Sequence, residues 1–290
     1  MIWLIGNKGM LGNDVEILLR KEGLDFIATD MDIDITDYEL LNRFAERKRI
    51  DWIINCSAYT AVDKAEDEPE KAFKINADGV KNIAKVAMFK NARLIHISTD
   101  YVFNGRKKKP YTESDPPNPI GVYGKSKLLG EENIKSVLAS YFIIRTAWLY
   151  GKNGNNFVNT MLKLFNIRDE VKVVSDQFGS PTYTVDLAKL ILKIIENNSE
   201  NYGIYHFTNE GKISWFDFAS KIYEIAKEIG TVKKEVKVIP ISNYEYTTKA
   251  KRPIDSYMSK EKVKEAFGIK IRPWDKALRE FLLSLNIEEK

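Results

Sequence analysis

Tyr123 and Lys127 stand four residues apart in Tyr123-Gly124-Lys125-Ser126-Lys127. On a helix that spacing puts a phenol and an ammonium on one face, able to act together on one group. A phenol ionises near pH ~10, and a neighbouring ammonium stabilises the phenolate, bringing its proton within reach of neutral pH. The pair therefore suits proton transfer, with Tyr123 as the acid and Lys127 as its tuner. Spacing alone decides nothing, because Tyr223 and Lys227 repeat it. There the tyrosine continues an apolar stripe of helical period beginning at Trp215 and reads as core. What precedes each pair separates them. The apolar run Leu94-Ile95-His96-Ile97 leads into Ser98-Thr99, and a hydroxyl at the carboxyl end of a strand can hydrogen-bond a substrate oxygen that gains charge. Tyr223 follows no such strand end.

The elements that must position these groups follow from alternation along the chain. Met1-Ile5, Asp25-Thr29, Asp51-Cys56, Arg93-Ser98 and Tyr141-Thr146 read as buried strands, each followed by an amphipathic segment, which predicts a doubly wound parallel sheet. After the first strand, Gly6-Asn7-Lys8-Gly9-Met10-Leu11-Gly12 spaces its glycines so that the backbone can turn tightly and approach a pyrophosphate at a helix N-terminus. Asp30 lies 18 residues beyond Gly12, where a carboxylate accepts from an adenosine ribose; this favours NADH over NADPH. Asp34 can reach the adenine side, Thr36 or Asp37 can cap the helix Tyr38-Arg47, and Asp32 reads as solvated. Past the third strand, Ala58 and Thr60 fall beside the expected cofactor. Asn76 sits inside the predicted helix Pro69-Phe89, either facing solvent or bonding a carbonyl and holding a water near the site.

The whole has 290 residues, 44% hydrophobic and 30% charged, which is enough chain for one large core or a core and a smaller lobe. A net charge of +4 fits an anionic metabolite and lacks the clustered basic face of a nucleic-acid binder. Arg106-Lys107-Lys108-Lys109, in a proline-rich loop, reads as a solvated face or a collector of anions. One cysteine, Cys56, and two histidines, His96 and His206, argue against a disulfide and a metal centre. No stretch is long enough to span a bilayer, and the chain opens directly on a strand, so a cytoplasmic protein without a leader is expected. Beyond Tyr150 the elements lose their regular alternation: helices at Phe157-Phe165, Thr184-Glu196 and Ser214-Glu228, with Ser214 as N-cap, and strands at Val171-Val174, Gly203-Phe207 and Glu235-Ile239. They read as a small lobe interleaved with the last elements of the sheet. Gln177, Gly179, Pro181 and Thr182 form a non-helical loop. Arg252 is a candidate for a diphosphate, since a guanidinium engages it bidentately, or else a surface arginine beside a proline turn.

The glycine turn, Asn55-Cys56-Ser57-Ala58-Tyr59-Thr60-Ala61-Val62-Asp63, Ser98-Thr99-Asp100-Tyr101-Val102-Phe103 and the Tyr123-Lys127 segment together resemble the extended short-chain dehydrogenase/reductases. Within them the chain is most similar to the branch that reduces dTDP-4-dehydro-L-rhamnose. The likeness continues through Arg145-Thr146-Ala147-Trp148-Leu149-Tyr150-Gly151, Gly154-Asn155-Asn156-Phe157, Asp176-Gln177-Phe178-Gly179-Ser180-Pro181-Thr182 and Lys251-Arg252-Pro253, nearly the whole chain. It implies a catalytic triad of Thr99, Tyr123 and Lys127. It also implies a cofactor lined by Gly9, Met10, Leu11, Asp34, Ile35, Ala58, Tyr59 and Thr60, with Ile97 nearby and Tyr123 and Lys127 against the nicotinamide ribose. Thr99, Asp100 and Trp148 would touch the sugar, with Gln177 and Arg252 on the substrate side. Cys56 and Ser57 replace the usual alanines and Tyr59 a common histidine, which bears on cofactor preference.

The expectation is thus an α/β protein. Residues 1–150 would form a Rossmann-type dinucleotide-binding domain, and 151–290 mainly a nucleotide-sugar lobe that returns some elements to the sheet. It would reduce the C4 keto group with NADH or NADPH, NADH being favoured, and act as a homodimer without nucleic acid or membrane. Mg²⁺ is not legible in the sequence. Three other readings stand beside this one. Tyr101 argues against a 4,6-dehydratase, where the resemblance places a glutamate. Another nucleotide-sugar ketoreductase or epimerase stays open, as does a non-catalytic partner of methionine adenosyltransferase, a role filled by a relative of this branch.

Overall fold

The computed structural model describes residues 1–285. Its central sheet has six parallel strands: β1 (Ile2–Ile5), β2 (Phe26–Thr29), β3 (Trp52–Asn55), β4 (Arg93–Thr99), β5 (Tyr141–Thr146) and Gly203–His206. They lie in the order Gly203–His206, β5, β4, β3, β1, β2. The apolar runs were legible because both faces are covered. Leu4 and Ile54 pack with Leu11, Val15, Leu187 and Ile191 on one face, while Trp3 and Ile53 pack with Leu41, Ile83, Ala84 and Ile134 on the other. The winding reverses between β1 and β3, and ligands of such sheets lie outside the carboxyl ends of the strands at that point.

Two later segments rejoin this layer. Helix Thr184–Glu196 packs under the sheet beside helix Met10–Lys21, and Gly203–His206 pairs with β5. The other late elements form their own core around Tyr150, Phe165, Phe218 and Phe281, drawn from helices Phe157–Ile167, Trp215–Glu228 and Trp274–Leu285. A parallel pair, Glu170–Val174 with Lys237–Ile241, edges it. The second of these strands begins two residues later than the sequence predicts. Ser214 caps its helix in a reciprocal capping box with Asp217, and Asp37 caps Tyr38–Ala45 by accepting from the Leu40 N–H. The predicted loop after Gln177 contains two short strands, Phe178–Gly179 and Thr182–Tyr183, paired with Ile213–Ser214 and Leu149–Tyr150. The single helix predicted over Pro69–Phe89 is interrupted by a π-helical turn at Lys74–Gly79. Among the described residues no helix is long and apolar enough to cross a membrane.

Candidate active site

Helix Val122–Val137 carries Tyr123 and Lys127, and three contacts fix where it starts and how deep it sits. The Glu66 carboxylate accepts from the Val122 N–H at 2.9 Å, which serves as an N-cap donated by another segment. Gly124 lies so close to the turn after β4 that a Cβ on it would stand 2.2 Å from the Tyr101 carbonyl oxygen. Gly130 makes the same approach to the Asn76 carbonyl, again 2.2 Å. Only glycine permits both. The π turn supplies the second surface and also aims the Asn76 side chain inward. Its Oδ1 accepts from the Tyr59 N–H at 2.8 Å, and its Nδ2 donates to the Tyr59 carbonyl and the Ser126 hydroxyl, each at 3.0 Å. Asn76 is fully buried, so of the two readings left open by the sequence the solvent-facing one is excluded. It fastens the loop after β3 to the helix that holds Tyr123.

The result brings Thr99, Tyr123 and Lys127 together at the carboxyl end of β4. The Thr99 hydroxyl donates to Asp100 Oδ1 at 3.1 Å and accepts from the Tyr101 N–H at 3.2 Å, and the Tyr101 ring stands edge-on to the Tyr123 ring at 5.5 Å. Lys127 is buried, with Nζ 2.6 Å from the Ile97 carbonyl oxygen and 3.4 Å from His96 Nε2. Burial pushes the Tyr123 phenol up to about 12; the Thr99 hydrogen bond pulls against this and the Asp100 carboxylate adds to it. This corrects the expectation that Lys127 brings the phenol down, because the Lys127 nitrogen is directed to a carbonyl of β4. A phenol held protonated is still suited to give a proton to an oxyanion. Burial lowers Lys127 to about 8, opposed by Glu131 and Cys56. Asp100 is buried and raised by that burial to about 6, with Ser256 and Thr99 hydrogen bonds holding it down. One turn beyond Lys127, Glu131 accepts from Ser98 Oγ at 2.5 Å and from Arg145 Nε and Nη2 at 2.9 and 2.6 Å, an ion pair sealed from water that ties the helix to β4 and β5.

The glycine turn forms an anion cradle. Gly6 has φ +82°, and a Cβ there would lie 2.7 Å from the Ser57 nitrogen; one on Gly12 would lie 2.0 Å from the Gly6 carbonyl oxygen. Gly9 has no such crowding, its nearest atom being 3.3 Å away. Gly9 begins helix Met10–Lys21 without any side-chain cap, so the first amides, Met10, Leu11 and Gly12, have no intrahelical partner. These residues fit the pyrophosphate of a dinucleotide. Asp30 accepts from the Lys8 and Met31 amides at 3.0 and 2.9 Å and borders the same turn. Asp32 does more than meet solvent: it accepts from the Asp30 N–H at 2.7 Å. Asp34 accepts from the Thr36 N–H at 2.8 Å. Ile35 is buried among Trp3, Leu41 and Ile83, which makes it core as well as wall. Ala58 is half-buried and Thr60 exposed, while Tyr59 turns its ring inward against Ala65 and Ala72, its hydroxyl donating to Glu68 at 3.0 Å. Among the described residues no cluster of three His, Cys, Asp or Glu could hold a metal ion.

On the substrate side, Trp148 adopts φ +48°, a costly conformation for a tryptophan, and its ring stacks on Trp215 at 3.5 Å over Gly179, where a Cβ would lie 2.8 Å from the indole. Gln177 is half-buried beside this stack's strand. Arg252 is held bidentately by Asp63, at 2.8 and 3.3 Å, so its guanidinium already has an anionic partner. Lys107 of the basic run pairs with Asp115 at 2.5 Å. Sequence reasoning missed Glu66, Glu131, Arg145 and Trp215, and it did not use His96 or Asn55. Only Asn76, polar in a helix interior, gave a signal.

A parallel sheet with its reversal at a glycine cradle, and a Thr, Tyr and Lys gathered at the end of β4, define an extended short-chain dehydrogenase/reductase. The chain belongs to the family described as RmlD substrate binding domain, whose model matches residues 1–287. It is 40% identical to a dTDP-4-dehydrorhamnose reductase of Aggregatibacter actinomycetemcomitans, over 95% of this chain and 96% of that protein. A crystal structure of a dTDP-4-dehydrorhamnose reductase from Clostridium acetobutylicum superposes with TM-score 0.93 at 43% identity, covering 98% of this chain and 99% of that one. Another, from Bacillus anthracis and in complex with NADP, gives 0.92 at 39% identity, covering 98% of each chain.

Proposed function

We propose that this chain reduces the C4 keto group of dTDP-4-dehydro-L-rhamnose to give dTDP-L-rhamnose, using NADH or NADPH. The observation that carries the reading is the convergence of Thr99, a protonated Tyr123 and Lys127 at the strand end facing the glycine cradle. When bound, the reduced nicotinamide supplies the hydride for C4. Tyr123 gives its phenolic proton to the oxygen that becomes an alkoxide, and the Thr99 hydroxyl hydrogen-bonds the same oxygen as charge develops. Gly9, Met10, Leu11 and Gly12 hold the pyrophosphate through their amides, and Lys127 orients the nicotinamide ribose. Trp148 on Trp215 offers a rigid apolar wall for the sugar, with Asp100 and Gln177 at its polar edge. Arg252 reaches the substrate diphosphate only if Asp63 shares it.

Asp30 supports NADH over NADPH, because a carboxylate beside the adenosine ribose opposes a 2′-phosphate. Action in the cytoplasm as a homodimer goes with this reading, and light scattering on the purified chain tests the assembly. The direct test follows loss of NADH and, separately, NADPH absorbance with dTDP-4-dehydro-L-rhamnose made in situ. Oxidation that needs both the sugar and Tyr123 is expected, with Tyr123→Phe binding cofactor yet losing nearly all turnover. Wild-type rate in that variant, or no oxidation by protein that binds cofactor, would sink the proposal.

A further inference from the structure

Behind Lys127 lies a chain of polar groups that the reaction as described does not use: the fully buried His96 and Asn55, and the half-buried Ser57 at its end. Asn55 and His96 are register partners on β3 and β4, both at zero exposure. The Asn55 Oδ1 accepts from the Ser57 backbone N–H at 3.0 Å and from the Ser57 hydroxyl at 2.6 Å. A backbone N–H can only donate, so that atom is the oxygen and the other end of the amide is the NH₂. The NH₂ meets His96 Nδ1 at 3.0 Å, so Nδ1 must accept. A neutral imidazole that accepts at Nδ1 carries its proton on Nε2. His96 is neutral: burial and the nearby Lys127 charge hold it well below its ordinary range. The Nε2–H therefore points at Lys127 Nζ, 3.4 Å away.

An ammonium there finds no acceptor on the ring, whereas an amine has a lone pair to take the Nε2–H. We propose that His96 is a positioning residue that sets the proton count of Lys127: locked as the Nε2–H tautomer by Asn55, it favours the amine over the ammonium. Glu131, from the same helix, and Cys56, at the end of β3, pull toward the ammonium, and the Ile97 carbonyl accepts from either form. His96 is the group on β4 that opposes them. The use in turnover rests on the reductase reading. There the ammonium is the form that orients the nicotinamide ribose; as pH rises one of its N–H bonds breaks, the proton passes to solvent hydroxide to form water, and the lone pair left on Nζ accepts from His96.

The test begins on the wild-type protein, which has only two histidines. Nitrogen-15 labelling of histidine, assigned with His206→Gln, is expected to give His96 with a proton on Nε2 and none on Nδ1, neutral from pH 5 to pH 9. An Nδ1–H tautomer or an imidazolium at pH 7 overturns the proposal. Lys127 is then titrated by NMR in wild type and His96→Gln, where the amide can turn its oxygen toward Nζ, with Asn55→Asp as a second variant should the first fold poorly. The midpoint is expected to rise by a pH unit or more, a tenfold change in proton affinity. An unchanged midpoint overturns it. In turnover the basic limb of the kcat profile should move with that midpoint while cofactor Kd holds. If wild type oxidises neither cofactor, the reductase reading falls and the two NMR results still decide the role of His96.

Discussion

Replacing Gly124 by alanine should separate the acid from the hydroxyl it works with. The added Cβ would start 2.2 Å from the Tyr101 carbonyl oxygen, and a carbon facing such an oxygen rests at about 3.3 Å, so the contact must open by roughly 1 Å. That oxygen belongs to the backbone of the tight turn directly after Thr99, with Asp100 and Val102 buried beside it, so the turn has little freedom to retreat. The helix must move instead, and with it Tyr123, one residue away. A displacement of about 1 Å at a reacting group costs on the order of 100-fold in rate. The assay is cofactor oxidation at saturating sugar, beside the exposed control Ser136→Ala on the same helix. We expect kcat to fall by about two decades, with dinucleotide Kd within a few-fold, since the cradle at Gly6 to Gly12 belongs to another element. A variant that folds, binds cofactor and keeps kcat within threefold of wild type would refute the view that glycine contact depth sets the geometry.

Two further perturbations probe the buried charges. Glu131→Ala leaves the Arg145 guanidinium sealed without its carboxylate, which should cost about 3–5 kcal/mol in urea denaturation; a loss under about 1 kcal/mol would mean the pair is solvated. Asp100 titrates near 6 in the fold against 3.8 when unfolded, so the folded state holds its proton more tightly than the unfolded chain does. Its contribution favours folding below pH ~4 and is lost as pH rises through ~6. Asp100→Asn should therefore gain stability relative to wild type between pH 4 and pH 7, by about 3 kcal/mol for a shift of about two units. A stability difference independent of pH in thermal melts would contradict this.

The sheet was legible because its strands are buried on both faces and read as unbroken apolar runs, and the cradle because three glycines follow the first of them. The scaffold of the site was not, because its contacts join residues far apart in sequence. Glu66 caps a helix 56 residues later, and Asn76 reaches Ser126 across 50. Charged residues such as Glu131 look like solvent-facing helix positions until Arg145 is folded over them. The π turn was invisible for a similar reason, since the backbone it presents at Asn76 is met by Gly130 of a helix distant in sequence. Arg252 shows the opposite limit: its type suits a phosphate, and only the fold reveals Asp63 beside it.

Tyr223 and Lys227 make the decisive comparison, because they share the spacing of Tyr123 and Lys127 and none of the surroundings. The Tyr223 ring packs against Phe165, and its hydroxyl accepts from the Val236 N–H while facing Glu235, to which Lys227 is also paired at 2.6 Å. Glu235 is 88% exposed, so this second pair works in high dielectric and pins a surface loop. Lys127 is instead buried, bonded to the Ile97 carbonyl and facing His96, with Glu131 one turn away, so a proton added or removed is felt by the whole cluster. Tyrosine and lysine four residues apart are thus raw material; one copy is buried against a strand end, where the proposed proton transfer needs it, and the other is left as a surface clasp.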